Sequence, residues 1–389
     1  MTVTAQGATH EVRLDNIPAT LKGSVVTLDT NNQEQAVSGA TVTLYDPDDT
    51  ETPPVSVTSG ADGTFTVEVP AGTYTLKVTA EGYVDHETTL TLTANTETER
   101  KITLYPGGSN WRLEGDTLYV WGNGPMPDYG TSSSTVPWKC VPGIDYRQIR
   151  SVVIDSSLTS IGNNAFSGFS NLTSVSMPDS ITRIGDLAFY QCSSLPSITL
   201  SSNVETIGAS AFYQCSQLES IVLPDSVTSI GDHVFQLCRN LESVTFSSKI
   251  KSIPLYGFAD TGLTSLTLPS NLNYIQYNAF DSCVSLEYVR IPGSVQFIGK
   301  SAFVTCKGLK EVLIEEGVQE IKNGVFVNCW DLTTIYIPKS ATIIRSNVLS
   351  RCYGLTTIYY GGTEEEWAAR AANISAPETA TIHYNYEYN

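Results

Sequence analysis

Seven of the eight cysteines in this 389-residue chain recur at a regular spacing, and the thiol is the most reactive side chain that the sequence repeats. They are Cys192, Cys215, Cys238, Cys283, Cys306, Cys329 and Cys352. A zinc site would need close pairs such as C-x-x-C, which the sequence does not contain. If the residues repeat along a stack of strands about 4.8 Å apart, their Cβ vectors run parallel, which opposes disulfide geometry. We therefore expect a column of small buried thiols, while Cys140 lies outside the series with no evident partner.

The other chemically active residue types form no catalytic pattern. The four histidines do not occur in H-x-x-E or H-E-x-x-H, and the sequence has no P-loop, dinucleotide fingerprint or G-x-S-x-G. Acidic stretches at 29–32 and 46–49 lack the spacing of a calcium loop, so we interpret them as exposed turns. The sequence therefore predicts a protein that is not an enzyme and that uses no cofactor or metal.

The charge balance narrows the classes of partner. The formal net charge is −18 and the isoelectric point is about 4.6. A chain without a basic stripe cannot neutralise nucleic-acid phosphates, and an acidic chain is repelled by an anionic lipid surface. No apolar run approaches the length of a transmembrane helix. We expect no nucleic-acid partner and no membrane insertion.

A repeat of 23 residues must position the cysteines. Its leucines are Leu172, Leu195, Leu218, Leu241, Leu263, Leu286, Leu309, Leu332 and Leu355. Its aromatic residues are Phe166, Phe189, Phe212, Phe235, Phe258, Phe280, Phe303 and Phe326, with Leu349 in the next place, and an isoleucine lies five residues before each. The step is 23 residues except from Leu241 to Leu263, where it is 22. This constant period predicts a solenoid of about nine coils over residues 149–362, each burying its apolar face against its neighbours.

Each coil contains three short motifs. The first is L-x-x-I-x-L-P, as in 218–224, whose alternation predicts a short strand that the proline ends. The second is V-x-x-I-G, as in 227–231, a further extended segment closed by glycine, and the third is the turn A-F-x-x-C. This pattern resembles the BspA-like bacterial surface leucine-rich repeats, a type found in secreted and cell-surface proteins. It departs from the family pattern at Pro254, where glycine is expected, and at Val348 and Leu349, where Ala-Phe is expected.

A separate all-β domain precedes the repeats. Short alternating strands over 18–105 are divided by turn residues such as Asp62-Gly63 and Pro70-Ala71-Gly72, which predicts a small β-sandwich. The spacing of these turns and of the strand residues between them resembles the carboxypeptidase regulatory-like (transthyretin-like) domain. The resemblance implies a spacer or stalk without catalytic zinc. Residues 1–17 are polar and unpatterned, and we expect them to be a flexible lead-in.

Both ends of the solenoid need a cap, because an open end would expose an apolar cross-section. Residues 106–148 combine a glycine-rich linker with Trp111, Trp121 and Trp138, which could form capping core or stack on a sugar. Residues 363–389 form the C-terminal cap, with Thr363 as the N-cap of a short helix and Glu366 at the capping-box position.

The outward face of the main strands changes character along the solenoid. The second and fourth residues after each repeat leucine are mostly Ser and Thr in the first five coils. The last four coils instead carry the six candidate ligand-binding residues Tyr288, Arg290, Glu311, Leu313, Tyr336 and Tyr359. Tyr and Arg are enriched in binding hot spots, although Tyr is also simply a good strand residue.

Two functions fit these observations. One is an adhesin-like binding protein of the cell surface or extracellular space that recognises an extracellular protein, such as a host matrix protein, or a glycan. The other is a structural spacer in a cell-envelope assembly, with no ligand of its own. We expect a monomer, and, since residues 1–5 lack a signal-peptide pattern, we expect any export signal to lie outside this sequence.

Overall fold

The computed structural model describes residues 2–5, 8–11, 17–28, 33–47, 52–81, 83, 85–104, 109–131, 136–139 and 145–387. The acidic stretch 29–32, the acidic pair 48–49 and Cys140 therefore lie outside the described residues, as do residue 105 of the expected sandwich and residues 106–108 of the expected linker.

The chain folds as two compact units. The first comprises residues 1–110 and 130–142, and the second comprises 111–129 and 143–389. The segment expected to be linker and cap is thus divided: Trp111 and Trp121 belong to the solenoid unit, whereas the buried Trp138 belongs to the N-terminal unit.

The N-terminal unit contains the expected β-sandwich. Its long central strand, β3, pairs in parallel with β10 and antiparallel with β7 and β4, and a second sheet has the order β6-β5-β8-β9. Alternate residues of these strands, such as Phe65, Val67 and Val69, are buried between the sheets. The residues expected to be an unpatterned lead-in contain an antiparallel strand pair, β1 with β2. The strands are β1 Thr2–Ala5, β2 Ala8–Glu11, β3 Pro18–Leu28, β4 Glu34–Ala36, β5 Thr41–Tyr45, β6 Val55–Thr58, β7 Thr64–Pro70, β8 Gly72–Thr79, β9 His86–Leu92 and β10 Glu97–Thr103.

The second unit is the β-solenoid that the 23-residue period predicts. Its two parallel sheets, called here the main sheet and the second sheet, run along the stack. The capping strands are β11 Ser109–Glu114, β12 Thr117–Gly122 and β13 Gly124–Pro125, followed by 3₁₀ turns at Pro137–Lys139 (in the first unit) and Tyr146–Gln148. The coil strands are β14 Ser151–Ile154, β15 Leu158–Ile161, β16 Ser174–Ser176, β17 Arg183–Ile184, β18 Thr206–Ile207, β19 Ser220–Val222, β20 Ser229–Ile230, β21 Ser243–Thr245, β22 Ser252–Ile253, β23 Leu266–Thr267, β24 Tyr274–Ile275, β25 Tyr288–Ile291, β26 Phe297–Ile298, β27 Glu311–Ile314, β28 Glu320–Ile321, β29 Thr334–Ile337, β30 Ile343–Ile344 and β31 Thr357–Tyr360.

The repeat residues form continuous columns through the solenoid. The phenylalanines of successive coils stack with their ring centroids 5.3 Å apart at Phe189–Phe212 and 5.1 Å apart at Phe280–Phe303, and all eight are fully buried. The seven described cysteines are free and buried, as predicted. Because identical residues meet in adjacent coils, each coil completes the core of the next.

The coil turns use an unusual backbone conformation. Two residues of a typical coil adopt a positive φ, as at Leu187 (φ 56°) and Gln191 (φ 58°). Asparagine, which tolerates this conformation best among residues with a side chain, occupies the first of these positions in other coils, as at Asn164 and Asn278.

The main sheet contains β14, β16, β19, β21, β23, β25, β27, β29 and β31, and the second sheet contains β15, β17, β18, β20, β22, β24, β26, β28 and β30. The main sheet lacks strand pairing between β16 and β19.

The coil of residues 241–262, called here the short coil, interrupts both sheets. Its main-sheet strand β21 pairs with the preceding β19 but not with the following β23. Its second-sheet strand β22 pairs with the following β24 but not with the preceding β20. This coil is the one that departs from the 23-residue step, and it carries Pro254 where the preceding coils have glycine.

The C-terminal cap forms as the sequence predicts. Helix α1 spans Glu364–Ile374, and Thr363 and Glu366 make the reciprocal bonds of a capping box. The final strand, β32 Thr381–His383, adds in parallel to β31 and closes the main sheet. Within the described part of the chain, no helix combines the length and the apolar character needed to cross a membrane.

Candidate functional site

Four of the six candidate binding residues lie in one row across the main sheet. Strand register places Arg290 beside Leu313, Leu313 beside Tyr336, and Tyr336 beside Tyr359. The other two, Tyr288 and Glu311, are paired in the adjacent row. The period of the repeat creates both rows, because residues at the same place in successive coils become neighbours on one face.

The six residues differ in how much of their side chain a partner could reach. Tyr288 is 40% exposed and Arg290 is also exposed, whereas Glu311, Tyr336 and Tyr359 are half-buried. The interpretation of Leu313 as an exposed contact is wrong.

Leu313 is only 2% exposed, although it stands on the outward side of the strand. Its neighbours in the row, Arg290 and Tyr336, are much larger, and it lies between them in the floor of a cleft. Leu313 therefore supports the surface and offers little contact area of its own.

The tyrosines at the C-terminal end of the row are packed together. Tyr336 and Tyr359 stack with centroids 4.7 Å apart and an interplanar angle of 7°, and His383 of β32 continues the stack at 4.9 Å from Tyr359. Tyr386, which follows β32, lies against both tyrosines at 5.3 Å and 4.7 Å. This cluster extends the aromatic surface beyond the last repeat.

An ion pair divides the face into two clefts. The guanidinium of Arg290 pairs with Glu315, whose other oxygen accepts a hydrogen bond from the backbone N–H of Gly293 at 2.9 Å. On one side lies a cleft of about 470 Å³ lined by residues that include Ser265 and Tyr288. On the other side lies a cleft of about 250 Å³ bounded by Leu313, Tyr336, Pro338 and Tyr386, and both clefts share Arg290 and Glu315. We call these two clefts with their shared ion pair the main-sheet groove.

Sequence reasoning missed Glu315 and Tyr386. Glu315 follows the strand rather than lying within it, so the alternation rule gives it no outward position. Tyr386 lies beyond the repeats, where no period indicates its neighbours. The aromatic residues His383, Tyr384 and Tyr386 close together in sequence were the available signal.

A second exposed aromatic row lies outside the strands. Trp330 is 45% and Tyr353 is 73% exposed, each one residue after a repeat cysteine, and Lys307 at the same place one coil earlier lies 4.3 Å from the Trp330 ring centroid. Of the capping tryptophans, Trp111 and Trp121 are half-buried and Trp138 is fully buried.

The cysteine column is chemically protected. Burial raises the pKa of Cys238 to about 12 and raises that of Cys215 well above its usual range, with neighbouring thiols adding to the effect at Cys215. Thiolate, the reactive form, is therefore suppressed at these positions. No group of three or more metal-ligating side chains is assembled among the residues that the structure describes.

Sequence comparison decides the family. The BspA type leucine rich repeat region matches residues 145–262 and 228–356, which together exceed half of the chain. This chain belongs to the BspA-type leucine-rich-repeat family. A carboxypeptidase regulatory-like domain matches residues 20–105 of this BspA-type protein, in agreement with the sandwich of the N-terminal unit.

Solved structures resemble this BspA-type chain in fold. A leucine-rich repeat protein from Bacteroides ovatus ATCC 8483 is 26% identical with a TM-score of 0.54, over 72% of this chain and 75% of that one. A leucine-rich repeat protein from Eubacterium ventriosum ATCC 27560 is 23% identical with a TM-score of 0.42, over 73% and 94%. The pneumococcal vaccine antigen PcpA is 19% identical with a TM-score of 0.38, over 72% and 92%. Among proteins with curated functions, none is significantly similar in sequence.

Proposed function

We propose that this protein is a non-catalytic, adhesin-like binding protein of the cell surface or extracellular space, and that the main-sheet groove recognises an extracellular protein. Membership of a family of bacterial surface proteins supports the location. Both matched families are typically binding or structural modules, which supports a function without catalysis.

The observation that carries the proposal is the change of side chains along one face of the solenoid. Ser174, Ser220 and Ser243 occupy row positions on β16, β19 and β21, while Tyr288 occupies the same position on β25. The fold alone does not require this change, because the polar coils stack through the same columns of buried residues as the aromatic ones.

A protein partner fits the groove better than a glycan does. Tyr288 and Arg290 are of the residue types that dominate protein–protein hot spots, and they stand beside each other on the exposed side of β25. The Arg290–Glu315 pair offers both signs of charge at the centre, where a partner with complementary charges would gain specificity. A glycan on the same face is the alternative ligand.

The test is a binding screen of the full chain against extracellular-matrix and plasma proteins by biolayer interferometry. The variant Tyr288→Ala/Arg290→Ala removes the most exposed contacts, and we expect it to weaken a bound partner by about 30-fold or more, as loss of a hot spot does. Tyr353→Ala is the matched control, because it removes an exposed tyrosine outside the main sheet.

The outcomes separate the two candidate functions. Binding that survives in Tyr288→Ala/Arg290→Ala would move the site away from the groove. If no protein binds the folded chain at micromolar concentration, the spacer function is favoured instead.

A further inference from the structure

A cleft separate from the main-sheet groove lies on the second sheet, beside the short coil. Its volume is about 510 Å³, within the range of about 300–1,000 Å³ usual for small-molecule sites. Residues on its walls include Ile230, Asp232, Lys251, Gln276 and Tyr277. None of these residues lines the main-sheet groove.

Pro254 opens this cleft by removing a backbone hydrogen bond. In the preceding coils, the N–H of Gly208 donates to the Ile184 carbonyl and the N–H of Gly231 donates to the Ile207 carbonyl, each at 2.8 Å. Pro254 occupies the equivalent position and has no N–H. The backbone carbonyl of Ile230 therefore receives no hydrogen bond from residue 254. Ile230 and Pro254 both line the cleft.

The side chain of Pro254 widens the gap between the two coils further. A Cβ atom at Gly231 would lie only 2.4 Å from the backbone nitrogen of Ala209, so these two coils could not approach each other this closely with a side chain at that position. Pro254 carries a side chain there. The hydrogen bond between an aspartate of one coil and a backbone N–H of the next is longer here. Asp186 accepts from the N–H of Ala209 at 2.7 Å, but Asp232 accepts from that of Leu255 at 3.1 Å.

One wall of the cleft is an aromatic ring held in place. Tyr277 is 42% exposed. The Nζ atom of Lys322 lies 3.3 Å from its hydroxyl oxygen and 5.2 Å from its ring centroid, and it also lies 4.2 Å from the ring centroid of Phe297. Contact with two rings and a hydroxyl fixes the lysine and, through it, the tyrosine before any ligand arrives.

We propose that this cleft binds a neutral saccharide unit of a glycan, independently of the main-sheet groove. A sugar presents hydroxyl groups around a ring whose C–H face is apolar. The cleft offers an aromatic wall in Tyr277, acceptors in Asp232 and the Ile230 carbonyl, an amide in Gln276 and a donor in Lys251. Because both donors and acceptors are present, the cleft suits hydroxyl groups, which do both, better than it suits an anion.

The experiment is a neutral-glycan array probed with the full chain, followed by calorimetric titration of the best free oligosaccharide. Tyr277→Ala is expected to weaken binding at least tenfold. Tyr288→Ala is the matched control, since that tyrosine is 40% exposed but lies in the main-sheet groove, and we expect it to bind the sugar like the wild type.

A second variant tests the origin of the cleft. Pro254→Gly restores the missing N–H and removes the side chain that separates the coils, so it is expected to close the cleft and to lower affinity at least tenfold while preserving the circular dichroism spectrum. Wild-type affinity in either Tyr277→Ala or Pro254→Gly overturns the proposal, and so does an array on which no neutral glycan is bound.

Discussion

The thiol of Cys215 donates a hydrogen bond to the backbone carbonyl of Phe189 in the preceding coil, with 3.2 Å between sulfur and oxygen. The same bond repeats at the other six described cysteines, Cys192, Cys238, Cys283, Cys306, Cys329 and Cys352. In the short coil, Thr261 takes the cysteine's place, but its hydroxyl donates within its own coil, to the carbonyl of Phe258 at 2.8 Å. Each described cysteine of the column therefore links its coil to the turn of the preceding coil, and Thr261 does not.

Stability is expected to fall at alkaline pH because of these thiols. Burial raises the pKa of Cys238 to about 12 in the folded state, whereas an unfolded cysteine titrates near about 8.5. The contribution of Cys238 is thus fully present below about pH 8.5 and is lost as the pH rises toward the folded-state pKa. Urea unfolding at pH 7.5, 9 and 10 should show a steeper decline for the wild type than for Cys238→Ala, and parallel declines would contradict this account.

Gly208→Ala should destabilise the solenoid by about 2–3 kcal/mol, because the new Cβ would lie 2.5 Å from the backbone nitrogen of Asp186. The clash is with backbone, which cannot turn aside as a side chain could. Ser243→Ala, on an exposed position of the main sheet, is the control and should change the unfolding free energy by less than about 0.5 kcal/mol. Equal midpoints of chemical unfolding for the two variants would show that coil spacing is not set by glycine.

Leu187→Asn should stabilise the protein by about 0.5–1 kcal/mol, even though it removes an apolar side chain. Leu187 has a φ of 56°, a conformation that costs an ordinary residue about 1–2 kcal/mol and that asparagine tolerates better. Leu255→Asn is the control, since Leu255 is also half-buried but has no positive φ. A lower melting temperature for Leu187→Asn than for the wild type would mean that side-chain contacts outweigh the strain.

Tyr386→Ala should destabilise the C-terminal cap by about 1 kcal/mol, the size of an aromatic pair contact. Tyr386 lies against both Tyr336 and Tyr359, so its removal uncovers one side of that stack. Hydrogen exchange should report faster opening of β31 and β32 than in the wild type, with the coils before β25 unchanged. Tyr353→Ala, a tyrosine that is 73% exposed, should leave exchange in β31 and β32 unaltered.

The structural features that the 23-residue repeat determines can be predicted from the sequence. The stacked phenylalanines, the buried thiols and the rows of the main sheet follow from the period, because a residue's neighbours in a solenoid are its own equivalents in adjacent coils. The capping box of Thr363 and Glu366 is likewise predictable, since it depends only on residues three apart.

The features that the sequence does not predict depend on contacts that the repeat does not determine. The burial of Leu313 follows from the sizes of the two side chains beside it, which the alternation rule does not consider. The position of Tyr386 depends on how the chain turns after β32. The cleft at Pro254 was visible only as a departure from the glycine pattern, and its meaning required the ladder bond that proline removes.

The short coil is joined to each half of the solenoid by a single strand pair, and the two pairs lie in different sheets. Its strands pair with the N-terminal half only in the main sheet and with the C-terminal half only in the second sheet. Backbone hydrogen bonds of the turns continue on both sides, as from Phe235 to Gly257 and from Phe258 to Ala279. The phenylalanine column continues across it without a gap, at 5.3 Å from Phe235 to Phe258 and 5.6 Å from Phe258 to Phe280. Two coils joined by one strand pair resist separation less than two coils joined by two, so a force that pulls on both ends of the solenoid would act first at residues 195–217 and 241–262, where only one strand pair joins neighbouring coils.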